Sequence, residues 1–386
     1  MPTESAFLLA GLLFIAAALG YVFARFGESD DEQTTSGQLS TDYFKGLNYV
    51  LNEEPDRAVE LFTRMAELDD DALETHFALG SLFRRRGEVA RAIRVHQNLM
   101  ARPSLSRAQK DQAEAALAED YLSAGLFDRA EKLFENVRKS PEFRDQALAR
   151  LVRICEITKE WERAIEFHVE LESAEPTVPG TSEVAHYYCE LAEQARQEKD
   201  LARAREMLKK AESGRNRTVR SIFARADIAH DAGKNKDAIR LYRQVVDRAP
   251  DLLIDVIPRL AASCREADMP MEFSGFLRKL LDKDKACTEA IAMATLQDPS
   301  IDDPVALDAL QQFIADDPML SGLIDVEALK RAKTLNRVRA ALARIVATKP
   351  GYRCADCGYA CLMLQWQCPG CRSWETVKPE TRIKFV

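Results

Sequence analysis

The stretch YLSAGLFDRAEKLF, residues 121–134, decides the fold, because its second half returns along the chain. The phrase reads DRAVELF at 56, ARAIRVH at 90, DRAEKLF at 128, ERAIEFH at 162, ARAREML at 202 and KDAIRLY at 236. Its alanines stand at 58, 92, 130, 164, 204 and 238, with gaps of 34, 38, 34, 40 and 34 residues. A 34-residue period is the length of the tetratricopeptide unit, a pair of antiparallel helices.

The spacing inside each unit agrees. Twelve residues before each alanine stands Gly46, Gly80, Ala118, Val152, Ala192 or Ala226, and four residues after it stands Phe62, His96, Phe134, His168, Leu208 or Tyr242. Small residues let two helices approach closely, and the bulky one fills the groove against the next unit. Only Val152 is larger than this pattern wants. Glycine or a polar turn separates the helices at Arg86-Gly87-Glu88, at Gly125 and at Gly233-Lys234-Asn235, and prolines close units at Pro176 and Pro250. A seventh, degraded unit is expected over 252–283. Residues 286–349 keep helical spacing in Leu307, Leu310 and Ile314 and in Val338, Leu342 and Ile345, but lose the phrase. They read as helix pairs capping the array, with a separate helical domain as the alternative.

Composition fits a folded protein, with 46% hydrophobic and 30% charged residues, and a net charge of -8 argues against a broad nucleic-acid surface. Residues 6–24, AFLLAGLLFIAAALGYVFA, carry no charge and are long enough to cross a bilayer core. The preceding MPTES has no base and Arg25 follows, which favours an uncleaved anchor over a secretory signal and places the rest of the chain in the cytoplasm. Residues 26–40 are polar and aperiodic, a tether. Nine cysteines, an odd number without a disulfide pattern, also point to a reducing compartment.

The densest chemistry is in RCADCGYACLMLQWQCPGCRSW, residues 353–374. Cys354/Cys357 and Cys368/Cys371 form two Cys-x-x-Cys pairs, the spacing of a four-sulfur metal site for zinc or iron, against which stand a disulfide or a redox pair. Gly358 and Gly370 fall where such bends need a tightly turned backbone. Cys361 breaks the pairing and reads as a small packed residue. Along 360–366 an extended run would put Leu362, Leu364 and Trp366 on one side, and so small a module would dock them on the last helices of the array. With five bases and three acids from Gly351 onward, and about -2 from a four-thiolate divalent site, a nucleic-acid-binding ribbon is disfavoured.

No Walker loop, dinucleotide fingerprint, nucleophile elbow or His-Glu-x-x-His occurs, so no catalytic or organic-cofactor residue is nominated and a binding protein rather than an enzyme is expected. His76, His96, His168, His186 and His230 all lie in repeats and read as packing or hydrogen-bonding residues.

The phrases LFRRRGEVARAIRVHQNLM (82–100), YLSAGLFDRAEKLF (121–134), VAHYYCELA (184–192), YRCADCGY and CPGCRSWETVKP, in this order behind an N-terminal anchor, resemble the lipopolysaccharide assembly protein B family over essentially the whole chain. The resemblance implies an all-α tetratricopeptide solenoid with a transmembrane anchor at 1–25, a tether at 26–40, repeats at 41–285, further helical pairs at 286–349 and a rubredoxin-like metal domain at 350–386. It implies an inner-membrane, single-pass protein that restrains lipopolysaccharide synthesis by promoting degradation of the lipid A-committing deacetylase by the membrane-bound AAA+ protease, opposed by an inner-membrane lipopolysaccharide sensor protein. The family's metal ligands carry over to Cys354, Cys357, Cys368 and Cys371, binding one iron or zinc ion. Departures are Glu4, the extra Cys361 and the divergent 286–349. A non-proteolytic scaffold for lipopolysaccharide enzymes and an electron-transfer protein are the rival readings, and whether the chain forms a homodimer is open.

Overall fold

The computed structural model describes residues 42–52, 54–68, 73–174, 182–213, 218–284, 286–325, 327–346 and 351–380. The apolar segment 6–24 lies outside them, and none of the described helices is long and apolar enough to cross a membrane. Two compact units divide at Thr158.

The first unit is a chain of helices: α1 (42–51), α2 (Pro55–Leu68), α3 (Leu73–Arg85), α4 (Val89–Met100), α5 (Arg107–Ser123), α6 (Phe127–Val137) and α7 (Arg144–Thr158). The second continues with α8 (Trp161–Ala174), α9 (Ser182–Gln197), α10 (Leu201–Ser213), α11 (Val219–Asp231), α12 (Asn235–Arg248), α13 (Leu253–Glu266), α14 (Pro270–Lys283), α15 (Ala286–Gln297), α16 (Pro304–Asp316), α17 (Pro318–Leu323) and α18 (Ala332–Val346). A three-stranded antiparallel sheet closes it, with β1 (Tyr352–Cys354) between β2 (Ala360–Cys361) and β3 (Val377–Pro379).

Each repeat phrase opens a helix, and its alanine is fully buried in all six cases. The bulky residue four positions on is buried too, from Phe62 and His96 through Leu208 and Tyr242. Two of the small residues are glycines for a steric reason. A Cβ on Gly46 would run into the Phe62 ring, and one on Gly80 would run into the His96 imidazole. His96 is itself held by polar contacts: Nδ1 lies 2.5 Å from Asp120 Oδ2, and Arg84 Nη1 lies 2.6 Å from Asp120 Oδ1. All of Asp120 and His96 is buried, so this hydrogen-bonded pair replaces water inside the unit.

The turn leading into these helices carries a recurring left-handed residue five places before the alanine. Gly87, Gly125 and Gly233 take φ of +79°, +72° and +71°, and Lys159 and Lys199 take +62° and +64° at the same place. The bond pattern is that of a helix C-cap: Glu88 N–H donates to the Phe83 carbonyl at 2.8 Å and Gly87 N–H to that of Arg84 at 3.0 Å. Helices α13 and α14 repeat the geometry. Asp268 is left-handed, and Ala261, Phe273 and Leu277 fill the three packing positions, all buried. Phenylalanine in the alanine place is why the phrase fades in this unit.

Beyond it the 34-residue rhythm ends. Helix α15 is buried continuously from Ala290 to Leu296, as a helix surrounded by others must be. Its last carbonyls are capped by the buried Arg339 of α18, which donates to the Thr295 oxygen at 2.6 and 2.9 Å and to the Asp298 oxygen at 2.6 Å. Asp303 and Asp317 cap α16 and α17, each followed by proline at the first helical position. These helices share one apolar core with α11 to α14.

Two substitutions test the close-approach argument. Gly80→Val overpacks the His96 contact and destabilises by about 1–3 kcal/mol. Gly275→Ala in α14, where a new Cβ meets nothing within 4 Å, stabilises by about 0.5–1 kcal/mol. Urea unfolding checks both, and effects of the same sign would contradict the packing.

Candidate metal centre and its docking face

The two Cys-x-x-Cys bends fold alike. Cys354 N–H donates to the Tyr359 carbonyl at 2.8 Å and Cys368 N–H to that of Ser373 at 2.9 Å, while Gly358 and Arg372 N–H reach back to Cys354 and Cys368 at 3.0 and 2.8 Å. The residue after each second cysteine is left-handed, Gly358 at φ +75° and Arg372 at +67°. Gly370 instead provides clearance, since a Cβ there would sit 3.3 Å from Cys357 Sγ and from Tyr359 Cβ.

This gathers four sulfurs. Sγ of Cys354 lies 3.6 Å from that of Cys371, Sγ of Cys357 lies 3.6 Å from that of Cys368, and all four are within 4.8 Å of one another. A tetrahedron built with metal–sulfur bonds of ~2.3 Å has edges of ~3.8 Å, so the set fits one zinc or iron ion. The Thr376 hydroxyl, 3.3 Å from Cys354 Sγ, and the Cys357 backbone N–H draw the Cys354 thiol down to about 6. Ser373 does the same for Cys371, which lies below its ordinary value. Both effects favour the thiolate that a metal needs. Cys361 stands apart from the four, half-buried, with Sγ 3.3 Å from the Met363 carbonyl.

The expected apolar strand 360–366 is not formed. Strand β2 ends at Cys361, the chain bends, and Leu362 is 60% exposed instead of sharing a side with Leu364 and Trp366. Leu364 and Trp366 do pack on the large core of the second unit. Their partners reach well beyond the last helices, because the main docking face is made by α9, α11 and α13, the first helices of three successive pairs. Trp366 meets Phe223 edge-on at 5.7 Å, and Trp374 lies flat on His186, with ring centroids 4.7 Å apart and planes 3° from parallel. Trp374 also meets Trp161 and Tyr187 edge-on. The Tyr352 hydroxyl donates to Asp255 Oδ1 at 2.9 Å, and Lys378 pairs with Asp251 at 2.7 Å.

Arg220 sits at the centre. Only 5% exposed, it lies over both indoles, 5.6 Å from the Trp366 centroid and 5.3 Å from that of Trp374, and its Nη2 donates to Glu190 Oε1 at 2.6 Å. Its backbone N–H, at the start of α11, bonds the Glu375 carboxylate, whose pKa burial nevertheless holds above the ordinary value. His186, Arg220 and Asp255 share one register: each stands eighteen residues before the alanine position of its pair, at 204, 238 and 273. Sequence reasoning treated His186 as a packing residue, which it is, but missed Arg220, Trp374 and this register.

The metal-domain sequence from 352 to 379 matches a family model described as a rubredoxin metal binding domain, and 75–108 and 115–168 match tetratricopeptide repeat models. The protein is thus an all-α tetratricopeptide array ending in a four-cysteine rubredoxin-type knuckle. Lipopolysaccharide assembly protein B of Escherichia coli strain K12 is 32% identical over 96% of this chain and 97% of its own length. The protein of that name from Haemophilus influenzae is 32% identical over 96% and 98%. The C-terminal part of a repeat protein from Cytophaga hutchinsonii is similar in structure, at 13% identity and a TM-score of 0.42 over 69% of this chain and 99% of that one. The chain belongs to the lipopolysaccharide assembly protein B family.

The stack on Trp374 makes a prediction in pH. Burial, and then the Arg220 charge, push the His186 pKa down to about 3, so the docked imidazole is neutral and docking free energy is lost as pH falls below ~6.5, the ordinary histidine value. Glu375 and Asp255, raised by burial, act in the opposite sense. The direct readout is therefore His186 itself: its imidazole NMR signals stay still between pH 8 and 5, and a titration midpoint near 6.5 would contradict the stack.

Proposed function

We propose that the chain is an inner-membrane adaptor, anchored by residues 1–25 and tethered by 26–40, whose repeats at 41–285, capping helices at 286–349 and metal domain at 350–386 lie on the cytoplasmic side. It regulates lipopolysaccharide synthesis by bringing the lipid A-committing deacetylase to the membrane AAA+ protease, and an inner-membrane lipopolysaccharide sensor protein opposes it. The single observation that carries this reading is the 32% identity to lipopolysaccharide assembly proteins over 96% of a chain that carries the repeats and then the knuckle.

The physics of the fold suits the role. A solenoid offers a long surface for another chain, and a membrane tether raises the local concentration of whatever it holds, so turnover is directed without a catalytic group of the adaptor's own. Cys354, Cys357, Cys368 and Cys371 bind one metal ion that shapes the module for docking. When bound, the ion supplies cross-linking of the two bends. Its thiolates are shielded unevenly, with Cys354 and Cys368 buried and Cys357 and Cys371 exposed.

Two measurements test the proposal. Deleting the protein lengthens the half-life of the deacetylase after translation is stopped; an unchanged half-life with altered enzyme association would favour the non-proteolytic scaffold. Cys354→Ser reduces bound metal from one equivalent toward none and lengthens the same half-life, while helix content stays near wild type. A metal-free variant that still restrains deacetylase levels would show that the site is dispensable.

A further inference from the structure

Stacked first helices are the surface on which repeat solenoids hold other chains. In the second unit that surface is filled from within, by Trp366, Trp374 and Glu375 of the chain's own metal domain. We propose that the metal ion is a latch on this face: with the ion bound the domain docks, and loss of the ion releases the domain and bares α9, α11 and α13. The inference rests on the four cysteines being the metal ligands.

The domain has little else to hold its shape. Its own buried cluster is Tyr352, Cys354, Cys368 and Val377, and two of these four are ligands. A core of that size does not sustain a fold without a cross-link. Both indole anchors hang from the second bend, Trp366 two residues before Cys368 and Trp374 three after Cys371. They are held in register by the Gln367–Trp374 bridge and by Glu375 N–H donating to the Trp366 carbonyl at 2.8 Å. Opening the bend therefore removes both anchors at once. The exposed Cys357 and Cys371 give a competing chelator access to the ion.

The bared face has a defined chemistry. Arg220 would lose two aromatic faces and His186 its stack on Trp374, while Tyr187 and Phe223 would each lose one ring contact and keep those with Trp161, His168 and Tyr242. Binding linkage makes the coupling reciprocal: whatever weakens docking weakens the metal.

The test uses the full chain loaded with zinc and followed by amide hydrogen exchange. Withdrawing zinc with excess chelator speeds exchange in 351–380 and at 182–190 and 219–226, leaves α3 to α6 unchanged, and is reversed by adding zinc. Trp374→Ala, with the four cysteines intact, weakens zinc binding roughly 5- to 150-fold, the range typical of coupled sites. Unchanged protection at 182–226 after zinc removal would overturn the latch, and so would a uniform rise over 42–346, which would make the ion a staple for the whole fold. Failure of the intact chain to bind zinc through its cysteines is a separate result, seen by metal analysis, that overturns the site assignment and the latch with it.

Discussion

A buried guanidinium organises the second half of this molecule. Arg220 is removed from water at the base of α11, and a charge in that position is tolerated only when opposite charge and polarisable surface replace the lost hydration. Glu190 supplies the first, and the indoles of Trp366 and Trp374 supply the second from the metal domain. The docking of the domain and the burial of Arg220 are one event. The flat stack of Trp374 is on a neutral His186, because burial first, and then repulsion from Arg220, disfavour a second cation in the same dry pocket.

That arrangement explains why a metal knuckle ends a helical array. The domain is too small to be stable alone, and the array has an aromatic face that would be costly to leave wet. Each completes the other. The repeats supply Phe223, Tyr187 and His186, and the two bends hold the indoles at the spacing that reaches them. The outcome is one docked surface in the second unit, with Leu362 and Met363 left exposed on the domain.

Much of this was legible in the residues. The recurring alanines mark the inward position of each phrase, and all six are fully buried. The Cys-x-x-Cys pairs were equally plain, because few other folds need two such bends ten residues apart. Other features were hidden for physical reasons. Lys159, Lys199 and Asp268 take the left-handed turn that glycine advertises elsewhere, so their turns carry no sequence mark. Phe273 in the alanine position disguises the seventh pair. The Asp-Pro starts of α16 and α17 are helix-cap signals visible in the residues. Alternation over 360–366 misled, because it presumes an extended chain and β2 stops at Cys361. The docking row His186, Arg220 and Asp255 shares a register but no chemistry, and its role depends on a partner more than a hundred residues away in sequence for Arg220 and Trp374.

The central claim is that Arg220 and Trp374 stabilise one another across the interface between array and metal domain. A double-mutant cycle on metal-loaded protein, with Arg220→Ala, Trp374→Ala and the pair, measures this directly. The account predicts a coupling energy of at least ~1 kcal/mol, as expected of a desolvated cation–aromatic contact. Strictly additive losses would contradict it, and would mean that the guanidinium and the indole are neighbours without being partners.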